Sequence, residues 1–273
     1  MRFFQSLIIA ASIIFLSCGR EDLDSLPVYF ISGEQVYSID FDGGNFKRLT
    51  DDANTYESVS SSMDGEDILL SDSSGKMYLM NYKGGTPVYF MDGKYGTYGP
   101  SGNIYYIKNN DTISKCDSAG GNPVDIITIT GNIIYSLSCN RDETEISFGY
   151  SPGGPSYTAR LKLNVLPYSY LNISGIFDNI HPSYSPLNYD ILGTMSGHTV
   201  IKVFSDSSYI TIDSTSSLSS TPAWSPDGEY VFFGKNIPNP KEIIRMKRDG
   251  SEKKVIATIS TNISAFSVMG KPR

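Results

Sequence analysis

Short apolar runs separated by turn-forming residues fill the chain from residue 27 onward. The clearest set lies near the C-terminus, where residues 221–224, 229–233, 242–247 and 253–259 flank the turn sequence Ser225-Pro226-Asp227-Gly228 and a second polar turn. Runs of this length, rich in β-branched and aromatic residues and bounded by Gly, Pro, Asp and Ser, are typical of β-strands. This segment is therefore predicted to be a four-stranded antiparallel meander.

The same succession of strand and turn signals recurs upstream. A residue at the start of the first turn marks each copy, at intervals of 37 to 45 residues, namely Met63, Pro100, Arg141, Pro186 and Pro226. Periods of about 40–50 residues are typical of β-propeller blades. The repeats therefore predict an all-β propeller.

The two ends of the repeat region determine the predicted number of blades. Residues 27–50 supply only three strands, and residues 262–269 supply a lone strand at the end of the chain. Joining the lone strand to the first three as their innermost strand removes exposed strand edges, which would invite aggregation. We therefore predict a six-bladed β-propeller of four-stranded antiparallel blades, closed by the C-terminal strand, which completes the first blade.

Composition and charge narrow the class of protein further. The 273 residues include 25 Gly and 19 Tyr, and only 19% are charged, which excludes a disordered chain, a long coiled coil and a collagen-like fibre. The formal net charge is −7, and no basic face that could follow a phosphate backbone is visible. No nucleic-acid partner is expected.

The first residues form an export signal that must be set aside before fold reasoning. An apolar stretch from Phe3 to Leu16 ends at Ser17-Cys18-Gly19 and is shorter than the roughly 20 residues that a membrane-spanning helix needs. It resembles a bacterial lipoprotein signal, which implies acylation of Cys18, for example with palmitate. The alternatives are an ordinary secretory signal or a buried N-terminal helix.

The predicted organisation follows from that signal. Residues 1–17 are the signal peptide, residues 18–26 the acylated N-terminus and a short tether, and residues 27–273 the propeller. The next residues, Arg20-Glu21-Asp22, resemble the acidic surface-export signals of some Bacteroidetes-type lipoproteins. The expected location is the bacterial cell envelope, lipid-anchored, at the outer membrane or cell surface in preference to the inner membrane.

The last repeat carries a family resemblance. Residues 222–228, Pro-Ala-Trp-Ser-Pro-Asp-Gly, and the closing half over residues 243–256 resemble the repeat of TolB-like six-bladed β-propellers. A weaker resemblance to the same repeat extends over residues 27–273. That family includes the periplasmic propeller of the Tol–Pal system, the non-catalytic propeller of prolyl oligopeptidase-type peptidases and many lipoproteins. It implies a non-enzymatic binding scaffold.

One short motif invites an enzymatic interpretation. Residues 149–153, Gly-Tyr-Ser-Pro-Gly, match the nucleophile elbow of hydrolases, which needs a strand, a strained turn and then a helix. Pro152 and the Gly-Gly-Pro sequence after it exclude a following helix. Residues 149–155 are therefore predicted to form a long outer turn of the fourth blade, and no catalytic residue is assigned.

The sequence also offers no convincing metal or cofactor site. Residues 40–51 resemble a calcium loop, but the sixth position is Asn45 where the motif needs Gly. His181 and His198, the only histidines, lack a neighbouring Cys or His at zinc-ligand spacing. We therefore expect no metal and no cofactor, and a strand-connecting turn at residues 40–51.

The two cysteines other than Cys18 are predicted to lie in different parts of adjacent blades. Repeat register aligns Cys116 with three apolar positions of other blades, Ile39, Met80 and Met246. Cys116 is thus expected in the core of a third strand, whereas Cys139 aligns with Ser225 at a turn. Because bonded cysteines need Cα atoms within about 7 Å, separate positions are favoured over a disulfide, which stays an alternative.

The candidate binding site lies where innermost strands line the channel of a propeller. Repeat register places Ser58, Tyr95, His181 and Thr221 in one row near the start of those strands, with Glu57 beside them. Glu57, Tyr95, His181 and Thr221 are the candidate ligand-binding residues. The alternative for His181 is a structural role, filling space or capping a loop.

A second row of aromatic residues is predicted to be structural. Trp224 aligns with Tyr184, Tyr98 and Phe266. Aromatic side chains dominate the energetics of protein cores, so this row is interpreted as packing between blades and not as a sugar-binding platform.

Two classes of function remain. The favoured one is a membrane-anchored, non-enzymatic scaffold that binds an envelope protein or an extracellular polymer. The alternative is a carbohydrate-active or lyase-type propeller enzyme, in which a Tyr, His or acidic residue in the channel transfers a proton. A cluster of His181, Glu57 and Tyr95 around a deep pocket would favour the enzyme.

Overall fold

The fold was analysed on a computed structural model of the chain. It describes residues 26–154, 156–173, 182–195, 198–202, 209–213, 222–236 and 240–268, with backbone only for residues 194–195 and 198–202. All regular elements in these ranges are β-strands. Among the residues described, none belongs to a helix that is long and apolar enough to cross a membrane.

The strands form six four-stranded sheets, numbered 1 to 6 along the chain. Sheet 1 contains β1 (Pro27–Ser32), β2 (Gln35–Asp40), β3 (Lys47–Arg48) and β24 (Ile263–Val268). Sheet 2 contains β4 (Tyr56–Ser61), β5 (Asp67–Asp72), β6 (Lys76–Asn81) and β7 (Val88–Asp92). Sheet 3 contains β8 (Lys94–Tyr98), β9 (Ile104–Lys108), β10 (Thr112–Cys116) and β11 (Val124–Thr128). Sheet 4 contains β12 (Ile133–Cys139), β13 (Glu145–Ser151), β14 (Tyr157–Lys162) and β15 (Tyr170–Asn172). Sheet 5 contains β16 (Ser183–Tyr184), β17 (Ile191–Met195), β18 (His198–Lys202) and β19 (Tyr209–Asp213). Sheet 6 contains β20 (Ala223–Trp224), β21 (Tyr230–Lys235), β22 (Lys241–Lys247) and β23 (Lys254–Ile259).

Every sheet is an antiparallel meander, and sheet 1 is assembled from both ends of the repeat region. Its strand order is β24-β1-β2-β3, whereas sheets 2 to 6 follow chain order. Strand β24 pairs antiparallel with β1, with Phe30 opposite Phe266 and Val28 opposite Val268. The C-terminal strand therefore completes the first sheet, as the sequence predicts.

The innermost strands surround a channel. In the order β24, β4, β8, β12, β16 and β20, each contacts the next, and β20 contacts β24 again. Backbone N–H groups donate to serine hydroxyls of the neighbouring sheet, from Ser61 to Ser267 (3.0 Å) and from Tyr184 to Ser138 (2.9 Å). Each bond joins the same two positions of its pair of neighbouring innermost strands. The innermost strands therefore run in the same direction. The prediction of an all-β propeller with four-stranded antiparallel blades is confirmed.

The core lies between neighbouring sheets. Second strands such as β1 and β21 are deeply buried, as shown by Phe30 and Phe232, which have no exposed surface. Both belong to one cluster that joins sheets 1 and 6, where Phe41 meets Phe232 edge to face at 5.1 Å between ring centroids. Cys116 is 1% exposed among apolar residues of sheets 2 and 3, so its predicted place in the core is confirmed.

The turn between the first and second strands explains the sequence signature of the repeat. In sheet 6, the hydroxyl of Ser225 accepts a hydrogen bond from the Tyr230 N–H (2.9 Å) and donates to Asp227. Gly228 follows with φ of 66°, a left-handed conformation that favours glycine. Ser62 and Asp64 repeat the serine-to-aspartate bond in sheet 2.

The aromatic row predicted from repeat register is correct in three sheets and wrong in sheet 1. Trp224, Tyr184 and Tyr98 occupy equivalent positions, opposite the start of the second strand. The equivalent residue of β24 is Val268, which faces Val28, and not Phe266. Strand β24 has no turn leading to a second strand, so the sequence contained no marker there to fix the alignment.

The alignment of Cys139 with Ser225 is also wrong, by one residue. Cys139 pairs with Ile146 and so shares the row of Trp224. Asn140 takes the turn position instead, because its side-chain oxygen accepts hydrogen bonds from the backbone N–H groups of the next strand, including that of Glu145 (2.9 Å). Cys116 and Cys139 are both free thiols.

Candidate functional site: the central channel

A channel of about 240 Å³ runs between the innermost strands of all six sheets. Its wall is rich in hydroxyl groups, which include those of Ser58, Ser60, Thr97, Ser136, Ser138 and Ser183. Among the described lining residues only Glu57 and Arg141 carry a charge. They lie at opposite ends, because Glu57 is near the start of its innermost strand and Arg141 follows the end of another.

Glu57 is directed by a β-bulge at the start of β4. Tyr56 faces Asp72 and Ser58 faces Ser71, so Glu57 has no residue opposite it in β5. A bulge inserts an extra residue, bends the strand and redirects a side chain. The half-buried Glu57 side chain consequently lines the end of the channel that we call the Glu57 mouth.

The next two innermost strands carry bulges at similar positions. The bulge in β8 contains Tyr95 and Gly96, and the bulge in β12 contains Tyr135. Tyr95 has φ of 50°, a conformation that costs a non-glycine residue about 1–3 kcal/mol. At Gly96 a Cβ atom would lie 2.5 Å from Leu69 Cδ2, so glycine lets β8 pack closely against sheet 2.

The bulges bring two predicted site residues together across a sheet boundary. The Tyr95 hydroxyl donates a hydrogen bond to Glu57 Oε2 at 3.2 Å. Burial, the nearby Glu57 carboxylate and this hydrogen bond all raise the pKa of Tyr95 well above its ordinary value of 10.0. Tyr95 therefore stays a protonated phenol at neutral pH, which makes it a hydrogen-bond donor and not a base.

The opposite end of the channel has a different character. Its rim contains Met63, Pro100, Arg141, Pro186 and Pro226, and we call it the proline mouth. These are the five residues that mark the sequence period. The sequence therefore contained the signal for this rim, but it was interpreted only as a repeat marker.

The remaining predicted residues cannot be placed at the channel. His181, Thr221 and Cys18 lie outside the described residues. His198 begins β18, the third strand of sheet 5, two strands outward from the channel.

The aromatic row packs between sheets, as predicted. Trp224 is 5% exposed, and its indole N–H donates to the Ser183 carbonyl of sheet 5 at 3.2 Å. The buried Tyr184 hydroxyl donates to Glu145 of sheet 4 at 3.0 Å. These aromatic residues therefore join adjacent sheets and are not arranged as an open platform.

The motif that resembles a nucleophile elbow forms a turn between strands. Ser151 ends β13, is 4% exposed and donates its hydroxyl hydrogen to the Gly154 carbonyl at 2.9 Å. Strand β14 begins three residues beyond Gly154, at Tyr157. The predicted absence of a helix directly after Ser151 is confirmed for the described residues of this turn.

The segment that resembles a calcium loop is a turn held by its own side chains. The Gly44 N–H donates to Asp42 (2.9 Å), and the Asn45 amide donates to Asp40. Across the described ranges, no three His, Cys, Asp or Glu side chains come together as a metal site would require. The expectation of no metal stays a prediction.

Comparison with known proteins gives similarities in structure alone. No family model matches the chain, and no curated protein matches it by sequence. TolB from Acinetobacter baumannii is 16% identical with a TM-score of 0.76, over 91% of this chain and 68% of TolB. A chain of a nidogen/laminin complex is 8% identical with a TM-score of 0.69, over 89% and 98% of the two chains. Oligogalacturonate lyase from Vibrio parahaemolyticus is 14% identical with a TM-score of 0.54, over 86% and 73%. These similarities show that the chain has a TolB-like β-propeller fold.

Proposed function

We propose that the chain is a membrane-anchored, non-enzymatic β-propeller lipoprotein of the bacterial cell envelope, which binds a protein or polymer partner at its central channel. The observation that carries the proposal is the channel, whose wall comes from all six innermost strands and whose two mouths differ in charge and polarity. Loops and channels held by a rigid scaffold are where propellers bind ligands.

The proposal includes a ring of six blades. Six four-stranded sheets and a closed order of contacts among their innermost strands support that number. The pairing of β24 with β1 supports closure by the two ends of the repeat region.

The proposed location is the outer membrane or the cell surface, with attachment through acylated Cys18. The sequence Leu16-Ser17-Cys18-Gly19 after an apolar stretch supports this attachment. The fold shared with TolB is compatible with an envelope protein. An envelope protein or an extracellular polymer is the proposed partner, and the net charge of −7 disfavours nucleic acid.

The experiment is co-purification from envelope extracts with the full chain carrying an affinity tag. We expect a partner that is retained by the native chain and lost with Arg141→Glu or Pro186→Glu at the proline mouth, or with Glu57→Gln at the other mouth. The control is Lys162→Glu, at the exposed end of β14 away from the channel. A partner retained equally by all the variants would contradict binding at the channel.

A second candidate function is a lyase-type enzyme with its active site in the channel. The observation that favours it is the hydrogen-bonded pair of Glu57 and Tyr95, together with the fold shared with oligogalacturonate lyase. The raised pKa of Tyr95 disfavours that residue as the base. We expect no turnover of oligogalacturonate, with or without manganese, and no hydrolysis of ester, peptide or glycoside substrates. Turnover that disappears with Glu57→Gln or His181→Ala would establish the enzyme instead.

A further inference from the structure

Glu57 is the charged residue that the described lining contributes to the Glu57 mouth. Among the described residues, no lysine, arginine or histidine nitrogen forms a salt bridge with Glu57. The other charged lining residue, Arg141, is at the far end of the channel. A carboxylate at the opening of a narrow channel, where the other described residues at this mouth are uncharged, focuses the electric field and attracts cations.

The carboxylate of Glu57 is held in position but retains capacity to bind. Tyr95 donates one hydrogen bond, to Oε2. A carboxylate offers about four acceptor positions, so most remain for a ligand. Ser58 and Ser60, which also line the channel, have hydroxyl oxygens that can accept further hydrogen bonds.

The size of the channel limits the ligand. Its volume of about 240 Å³ is below the roughly 300–1,000 Å³ of sites that enclose a drug-sized molecule. An extended side chain with a cationic tip fits that volume, whereas a folded segment does not. An ammonium group has three donors and no acceptor, and a guanidinium group has five donors, which suits a wall of carboxylate and hydroxyl oxygens.

We infer that the Glu57 mouth is a receptor for a basic side chain, lysine or arginine, that a protein partner inserts into the channel. The inference rests on the proposed function, since it names the chemistry of the partner at the same channel. It also predicts that polyanionic sugars are repelled at this mouth, because Glu57 would lie beside their carboxylates.

The test uses a defined probe with the purified full chain in detergent. Saturation-transfer NMR measures binding of the capped tripeptide acetyl-Gly-Lys-Gly-amide, with norleucine and glutamate versions as matched probes. We expect binding of the lysine probe only, about tenfold weaker with Glu57→Gln. Binding should also weaken at about 0.5 M salt, because exposed charges are screened there.

The control variant is Glu34→Gln. Glu34 is an exposed acid in the β1–β2 turn and does not line the channel, so its loss removes the same charge elsewhere. Thermal melts that match the native chain would show that both variants are folded. Glutamine keeps an oxygen that can accept the Tyr95 hydrogen bond, so Glu57→Gln is expected to fold.

The outcomes separate this inference from the proposed function. Equal binding of the lysine probe to native and Glu57→Gln chains, or no binding to the native chain, overturns the inference. If spermidine binds more tightly than the tripeptide, the ligand is a free polyamine and not a side chain of a protein partner, and the inference is overturned. A partner lost with Arg141→Glu while the lysine probe fails to bind would leave the scaffold function in place.

Discussion

At the scale of residues, buried carboxylates join adjacent sheets. Glu145 of sheet 4 is held by Arg160 at 3.2 Å, with the two side chains 11% and 19% exposed, respectively. Tyr184 of sheet 5 donates to the same carboxylate oxygen at 3.0 Å. Removing one partner of a buried charge leaves part of its desolvation cost without compensation, so the energetic effect depends strongly on burial.

Two tyrosines that bridge the same pair of sheets test this dependence on burial. Tyr184 is 6% exposed, whereas Tyr189, which donates to Asp142 at 3.0 Å, is 43% exposed. We expect Tyr184→Phe to lower the free energy of unfolding by about 1.5–3 kcal/mol. Tyr189→Phe is expected to change it by less than about 0.5 kcal/mol. Urea denaturation monitored by fluorescence measures both, and equal effects would contradict the argument.

Glu143 links the turns of sheets 3 and 4 through three hydrogen bonds. Burial opposes its ionisation, but donors from Ser101 (2.9 Å), Asn103 (2.6 Å) and Tyr105 (2.7 Å) outweigh it and lower the pKa of Glu143 below its ordinary value of 4.5. A native pKa below the unfolded value means that the unfolded chain binds the proton more readily. The contribution of Glu143 is therefore present above pH 4.5 and is lost as the pH falls through the native pKa.

The corresponding prediction concerns Glu143→Gln. At pH 7 we expect the free energy of unfolding of the variant to be about 1–3 kcal/mol lower than that of the native chain. The difference in free energy of unfolding should shrink as the pH is lowered below 4.5. Protonation of Glu143 then removes from the native chain the stabilising carboxylate that the variant already lacks. Urea denaturation at several pH values measures it. Glu229→Gln, at an exposed acid in the equivalent turn of sheet 6, should follow the native curve at every pH.

At the scale of elements, the strands were predictable because turn signals bound them. Strand β9, for example, lies between the Ser101-Gly102 and Asn109-Asn110 turns. The last of the three strands predicted within residues 27–50 is short, because β3 contains only Lys47–Arg48. The exposed Phe46 packs instead on Tyr37 of β2, with ring centroids 5.6 Å apart.

The bulges could not be predicted, because an extra residue in one strand leaves the turn signals unchanged. Repeat register aligned Tyr95 with Ser58. The residue that Tyr95 contacts is Glu57, because the bulge in β4 directs Glu57 into the channel. Ser58 and Tyr95 of that row both line the channel, whereas His181 and Thr221 lie outside the described residues. The hydrogen bond between Glu57 and Tyr95 depends on both bulges, and the repeat pattern does not indicate it.

Strand β24 provides the prediction at this scale. A chain ending at Thr261 lacks β24, so β1 loses one of its two partner strands, and β4 and β20 lose a neighbour. The buried Ile263 and Phe266 disappear with it, and substitutions of such residues by alanine alone cost about 2–5 kcal/mol each. Total stabilities are only about 5–15 kcal/mol, so we expect loss of cooperative thermal unfolding and aggregation.

The matched control for this truncation is a chain ending at Val268, which keeps all of β24. It should melt cooperatively, close to the full chain. A chain ending at Thr261 that melts like the one ending at Val268 would contradict closure of the ring by the C-terminal strand.

At the scale of the whole molecule, architecture and chemistry differ in how far the sequence predicts them. Periodic turns and strands predict a propeller, because each blade repeats the same packing problem. The channel wall is formed by side chains of the innermost strands, and the period does not specify their chemistry. Repeat register placed Glu57 at the channel, whereas the position of Arg141 at the opposite mouth was found only from the lining of the channel.

The last prediction concerns attachment of the whole molecule to a membrane. If Cys18 is the acylated residue, Cys18→Ala should abolish metabolic labelling with a palmitate analogue and release the protein from the membrane fraction. Release is expected because stable attachment needs more than one acyl chain, and none would remain. The control is Cys139→Ala, which removes a half-buried thiol of β12 and should leave labelling and membrane attachment unchanged. Labelling that persists in Cys18→Ala would refute the anchor, whereas an unlabelled native chain in the soluble envelope fraction would favour an ordinary secretory signal.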